Sequence, residues 1–147
     1  MRAPFQILAI PYRMEPNLMY AVLHRADCDQ WQFIAGGGED DETPLMAAKR
    51  EIFEEAGVSA EDIMELISMS YVPANVISDR HRRNWPKDTY VLPEYSFAFA
   101  CKEALMLSRE HRECRWVSFE EAMKLLQWDS NKTALYELNC RLSETNP

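Results

Sequence analysis

The chain has 147 residues, enough for one domain with a well-formed core. Hydrophobic residues make up 47% and charged residues 27%, ordinary for a globular protein, and no apolar run approaches the roughly 20 residues that span a bilayer. A net charge of −8 argues against a general binder of nucleic-acid polymers, which needs a basic surface; such a protein can handle phosphates when cations supply the positive charge.

Met1-Arg2-Ala3-Pro4 lacks the apolar core and cleavage pattern of a secretory leader. Cys28, Cys101, Cys114 and Cys140 are scattered, with no C-x-x-C pairing, so a cytoplasmic location is expected. Phe5 to Tyr12 reads as a buried strand, and Leu18 to His24 as its neighbour across a turn containing Glu15-Pro16-Asn17. Trp31 to Ala35 is a short extended piece entering a loop, Gly36-Gly37-Gly38. A helix follows from Pro44 to Ala56: Thr43 suits its cap, Pro44 its first turn and Gly57 its exit. Ile63 to Val72 reads as a strand, Pro73 to Lys87 as irregular, Tyr90 to Cys101 as strongly β-like and Glu113 to Val117 as a short strand. Ser118 caps a helix beginning at Phe119, and Asp129 or Ser130 caps a last one running to about Leu142. With no repeat or linker, the reading is one domain over residues 1–147, a mixed sheet with helices on its faces.

The helix after the glycines carries Glu51, Glu54 and Glu55 in its last two turns. Partial negative charge at a helix C-terminus makes acids unfavourable there, and Glu51 and Glu55, four apart, repel each other as well. At about 100° per residue, Leu45, Ala48, Ile52 and Ala56 form an apolar stripe. The three glutamates share an adjoining stripe, where Ala47 leaves room beside them. Hard divalent cations, which take carboxylate oxygens, turn this arrangement into a site; a solvated acidic face is the alternative.

The whole spacing resembles the Nudix box, Gly-x5-Glu-x7-Arg-Glu-apolar-x-Glu-Glu-x-Gly-apolar. Its fixed positions are met by Gly36, Glu42, Arg50, Glu51, Ile52, Glu54, Glu55, Gly57 and Val58 without a gap. The resemblance implies an α/β fold, the Nudix α/β/α sandwich with a mixed sheet and a loop-helix-loop catalytic motif. It also implies an enzyme that uses Mg²⁺, or Mn²⁺, to hydrolyse a nucleoside diphosphate linked to another moiety. The metal ligands would be Glu51, Glu54 and Glu55, with the Gly36 carbonyl and Glu110 completing the shell. Glu113 competes with Glu110 for that place. Glu51 or Glu54 would be the base, and Glu42, Arg50 and Gly57 would be structural.

Outside the box, Arg2 and Arg25 are candidates for substrate phosphate, and Asn131 for substrate contact. Arg82 and Arg83 lie in the one dense basic run, Asp79 to Lys87, where Trp85 could stack on a base. Trp116 reads as core. The flanks WQFIAGGGEDDETPLMAAKRE, EHRECRW and WDSNKTAL resemble bacterial dATP or dihydroneopterin-triphosphate pyrophosphohydrolases, although Gly37-Gly38 stands where bulkier residues are expected. The implied partner is a small nucleotide or pterin triphosphate, with no nucleic-acid polymer and no membrane; a homodimer is compatible with the chain. The alternatives are a dinucleoside polyphosphate hydrolase and a nucleotide-binding sensor without turnover. Retention of every box glutamate favours an enzyme.

Overall fold

Strand β1 (Arg2–Arg13) is the axis of a seven-stranded mixed sheet in the computed structural model, which describes residues 1–145. Along one edge it pairs antiparallel with β2 (Met19–Arg25) at its far end and with β4 (Ile34–Glu39) over its first half. Its other edge meets β6 (Val91–Ala100) in parallel, and β6 in turn meets β5 (Ile63–Pro73) antiparallel. β2 also pairs with the two-residue β3 (Trp31–Gln32) and with β7 (His111–Val117).

Alternation along β1 sorts its side chains onto two buried faces. Ile7 and Ala9 join Ile34, Phe97 and Phe99 under α1 (Pro44–Ala56), which contributes Ala47, Ala48, Ile52 and Ala56. Leu8 and Ile10 join Tyr20, Val22 and Phe33 under α3 (Phe119–Leu125) and α4 (Asp129–Thr145), which contribute Ala122, Leu135 and Leu138. Helices on both faces of a mixed sheet make the α/β/α arrangement.

Several local expectations change. Gly36-Gly37-Gly38 is not a loop: it lies within β4, with Gly36 opposite Ile7 and Gly37 opposite Gln6. The irregular stretch after β5 holds a 3-10 turn (Ala74–Val76) and a one-turn helix, α2 (Asp79–Arg82). Trp85 does not offer its face to a ligand. It is buried with Ala74 and Leu92, and its Nε1 donates to the Arg2 carbonyl at 2.8 Å. Asp129 and Ser130 sit inside the first turn of α4 rather than before it. Trp116 packs on the α1-side core with the Arg13 guanidinium 4.3 Å from its ring centroid. No helix among the described residues is long and apolar enough to cross a membrane.

Candidate active site

The site begins with the two ends of α1. Thr43 Oγ1 accepts from the Met46 N–H at 3.2 Å, and Gly57, left-handed at φ 70°, donates its N–H to the Phe53 carbonyl at 2.9 Å. These stops set the helix phase. Glu51 and Glu55, one turn apart, face inward and are only 9% and 4% exposed. Glu54 turns away, with its side chain 55% exposed.

Arg50 ties this helix to the preceding strand and loop. Its Nε and Nη2 take both Glu42 oxygens at 2.8 and 3.0 Å, and Nη2 also reaches the Gly37 carbonyl at 2.7 Å. Nη1 donates to Glu51 Oε1 at 2.9 Å and Glu54 Oε2 at 3.2 Å. The planar fork of arginine suits this role, holding three carboxylates and a carbonyl at once. It thereby fixes one oxygen of Glu51 while leaving the rest of that carboxyl to the cavity.

The glycines of β4 supply clearance. A Cβ on Gly36 would overlap the Glu51 carboxyl, one on Gly37 the Arg2 guanidinium, and one on Gly38 the Phe5 ring. None of the three has a positive φ, so what the fold uses is the missing side chain, not conformational freedom. The space that bulkier residues at 37 and 38 would fill is thus taken by Arg2 and Phe5 from β1. Arg2 Nη2 donates to Gln6 Oε1 at 2.6 Å, while its buried Nε has no partner.

These groups open on a cavity of about 1010 Å³. Gly36, Glu51, Glu55, Glu110, Arg2, Arg25 and Asn131 all line it, so most of the residues selected from sequence converge. Glu54 is not part of its wall, being tied to Arg50 on the solvent side. Arg82 and Arg83 are a correction: neither lines the cavity. The Arg82 Nε donates to the Ile77 carbonyl at 2.8 Å and its Nη2 pairs with Asp79, while Arg83 is exposed. Arg25 is held by Asp27 through two hydrogen bonds of 2.9 and 2.7 Å. Asn131 is buried, accepting from the Phe33 N–H at 3.1 Å and donating to Ser130 Oγ at 3.3 Å. Glu113 lies outside, facing His24 and Arg115.

Among the cavity residues that the sequence reading did not select are His111 and Glu94. His111 is buried beside Glu110, with Nε2 3.2 Å from Gln32 Nε2. Glu94, buried on β6, was hidden inside a segment read only as strand; an acid in an otherwise apolar run was the available signal.

Donor atoms of Glu55, Glu110 and His111 lie within 4.8 Å of one another. Burial, then the hydrogen bond and charge of Glu110, push the Glu55 carboxyl up to about 10; burial also pushes Glu51 up to about 7 against the pull of Arg50. Burial pushes His111 down. The buried Glu55 Oε2 has no hydrogen-bond partner. Clustered, desolvated carboxyls with an orphaned oxygen, next to the glycine run of β4, fit a hard divalent cation.

The NUDIX domain profile matches residues 8–138. Nudix hydrolase 13 of Arabidopsis thaliana, a mitochondrial protein by name, is 36% identical over 110 residues, covering 71% of this chain and 52% of that protein. The chain thus spans about half the length of this relative, and of the similar Nudix hydrolase 12. Dihydroneopterin triphosphate diphosphatase of Haemophilus influenzae is 27% identical over 139 residues, covering 92% of this chain and 88% of that protein. Among solved structures, a NUDIX hydrolase of Listeria monocytogenes superposes with a TM-score of 0.84 at 46% identity, covering 98% of this chain and 97% of the other. A profile spanning nearly the whole sheet and a relative alike from end to end place this chain in the Nudix family.

Proposed function

We propose that the protein hydrolyses a phosphoanhydride bond of a nucleoside triphosphate-like substrate, releasing the monophosphate and pyrophosphate. The observation that carries this reading is the buried pair Glu51 and Glu55, which faces a large cavity together with Glu110, Glu51 lying against Gly36 of β4. The relative named for dihydroneopterin triphosphate, alike along 92% of this chain, supports a triphosphate substrate.

Glu51, Glu55, Glu110 and the Gly36 carbonyl would hold Mg²⁺, or Mn²⁺. Such an ion, when bound, neutralises charge developing on the phosphate oxygens. Arg2, which lines the cavity, meets the phosphate chain, and Arg25, held by Asp27, lies along the same wall. Glu51 takes the proton of the attacking water as the new P–O bond forms at the α-phosphorus and the anhydride bond breaks toward pyrophosphate. Arg50 is a positioning residue that holds the Glu51 carboxyl in line. Glu54, outside the wall, acts through Arg50 rather than on the substrate. The reaction is set in the cytoplasm, on small molecules, without a nucleic-acid polymer or a membrane.

The test is release of pyrophosphate from dihydroneopterin triphosphate and dNTPs with Mg²⁺ or Mn²⁺. Glu51→Gln and Glu55→Gln should each lose about a hundredfold or more in kcat, and Glu54→Gln about tenfold or less. Full turnover in Glu55→Gln, or none in the wild-type protein with any triphosphate, refutes the reading.

A further inference from the structure

At the cavity wall away from the glutamate cluster lies a second acid for which the hydrolytic reading has no use. Glu94, on the parallel partner of β1, is 8% exposed, and its buried Oε1 has no hydrogen-bond partner. It lies in one row across the sheet: Gly37 on β4, Gln6 on β1, Glu94 on β6 and Ser70 on β5 are successive cross-strand neighbours. All four line the cavity. Two interstrand steps therefore separate Gly37, the strand neighbour of the Gly36 that abuts Glu51, from Glu94, roughly 10 Å. A ring with its sugar or side chain can cover that distance while the phosphates remain at the glycines.

The surroundings of Glu94 differ from those of the glutamate cluster. Beside the polar row, Tyr71, Val76, Ile77 and Trp128 add apolar and aromatic surface to the cavity lining. Burial raises the Glu94 carboxyl above its usual range, a hydrogen bond from Ser130 in the first turn of α4 opposes this, and among the described residues no arginine forms an ion pair with the group. A carboxylate has room for about four hydrogen bonds, so a single hydroxyl leaves most of its capacity unmet. Desolvated and under-satisfied at the cavity wall, Glu94 is arranged to receive donors from a flat ligand.

We propose that Glu94 is the specificity-determining residue for the ring, binding the N–H and exocyclic amino group of a 2-amino-4-oxo heterocycle, the edge shared by pterins and guanine. This rests on the triphosphate-hydrolase reading and narrows its substrate class. An ionised carboxylate only accepts hydrogen bonds, and that edge offers two adjacent donors. Adenine instead presents one donor beside one acceptor, so its ring nitrogen would face the carboxylate lone pairs. A matched bidentate pair discriminates between bases by roughly tenfold to a hundredfold.

The experiment compares kcat/KM for dihydroneopterin triphosphate, dGTP and dATP in the wild-type protein and in Glu94→Gln, with binding of neopterin, which carries no phosphate, followed by fluorescence. The wild-type protein should favour the first two over dATP by about tenfold or more. Glu94→Gln should erase that preference, chiefly through KM, because a carboxamide offers the donor and acceptor that adenine matches. A wild-type preference for dATP, or an unchanged ratio in Glu94→Gln, overturns the proposal while leaving hydrolysis intact. If no triphosphate is hydrolysed, the hydrolase reading fails, and neopterin decides the ring site alone. Binding by the wild-type protein that is lost in Glu94→Gln supports it; equal binding, or none, overturns it.

Discussion

Cation binding should expel protons, in numbers the carboxyl environments dictate. Without a cation, Glu55 is pushed to about 10 and Glu51 to about 7, chiefly by burial. At pH 8 Glu55 then holds close to one proton and Glu51 about a tenth of one; at pH 6 the two together hold close to two. A cation needs both carboxylates ionised, so its binding releases about one proton at pH 8 and about two at pH 6. The sign follows: raised carboxyl pKa values make protons compete with the cation, so affinity strengthens as pH rises. Integrating those proton numbers from pH 6 to 8 tightens the apparent Kd roughly a thousandfold. Isothermal titration of Mg²⁺ or Mn²⁺ in two buffers of different ionisation enthalpy measures the release directly, as the slope of observed heat against buffer heat. Glu55→Gln should remove about one proton at both pH values. A release below about 0.3 at both pH values in the wild-type protein would show the acids already ionised, and the electrostatic picture of the site would be wrong.

Gly36→Ala should fold, because its backbone lies in an ordinary strand conformation, yet its methyl group would displace the Glu51 carboxyl. Turnover should fall by about a hundredfold or more with the melting temperature nearly kept; wild-type activity would show that Glu51 need not sit against the strand. Arg50→Lys keeps the charge but loses the fork that joins Glu42, Glu51 and the Gly37 carbonyl, costing about 2–3 kcal/mol. For a domain of this size that is a fall of roughly 4–10 °C in Tm, measured without added cation, and a change below 1 °C would mean the pairs contribute nothing.

What the chain disclosed in advance divides along a physical line. α1 was legible to the residue because its stops are local: a threonine cap, a proline in the first turn and a left-handed glycine act within one turn of the helix ends. Helical phase then followed from arithmetic, which grouped Glu51, Glu54 and Glu55 on one stripe but did not foresee that Glu54 turns to solvent beside Arg50. The glycines were misread as a loop because glycine signals irregularity only when its conformation is what the fold uses. Here β1 supplies Arg2 and Phe5 to the emptied space, a tertiary fact that no local window contains. The same holds for the basic segment. A cluster of arginines beside a tryptophan reads as an anion trap, yet the indole N–H is tied to the Arg2 carbonyl, 83 positions away in the chain, and Arg82 to the adjacent turn. Glu94 shows the converse. Its strand was assigned correctly, but period-two alternation in a strand buried on both faces cannot tell a core position from a cavity wall, since both lie out of water. That distinction is made by β4, β1 and β5, whose residues in the same row are glycine, glutamine and serine rather than leucine or valine. Polar and small residues thus hold the row across four strands, and they line the cavity in which this buried acid keeps an oxygen unbonded.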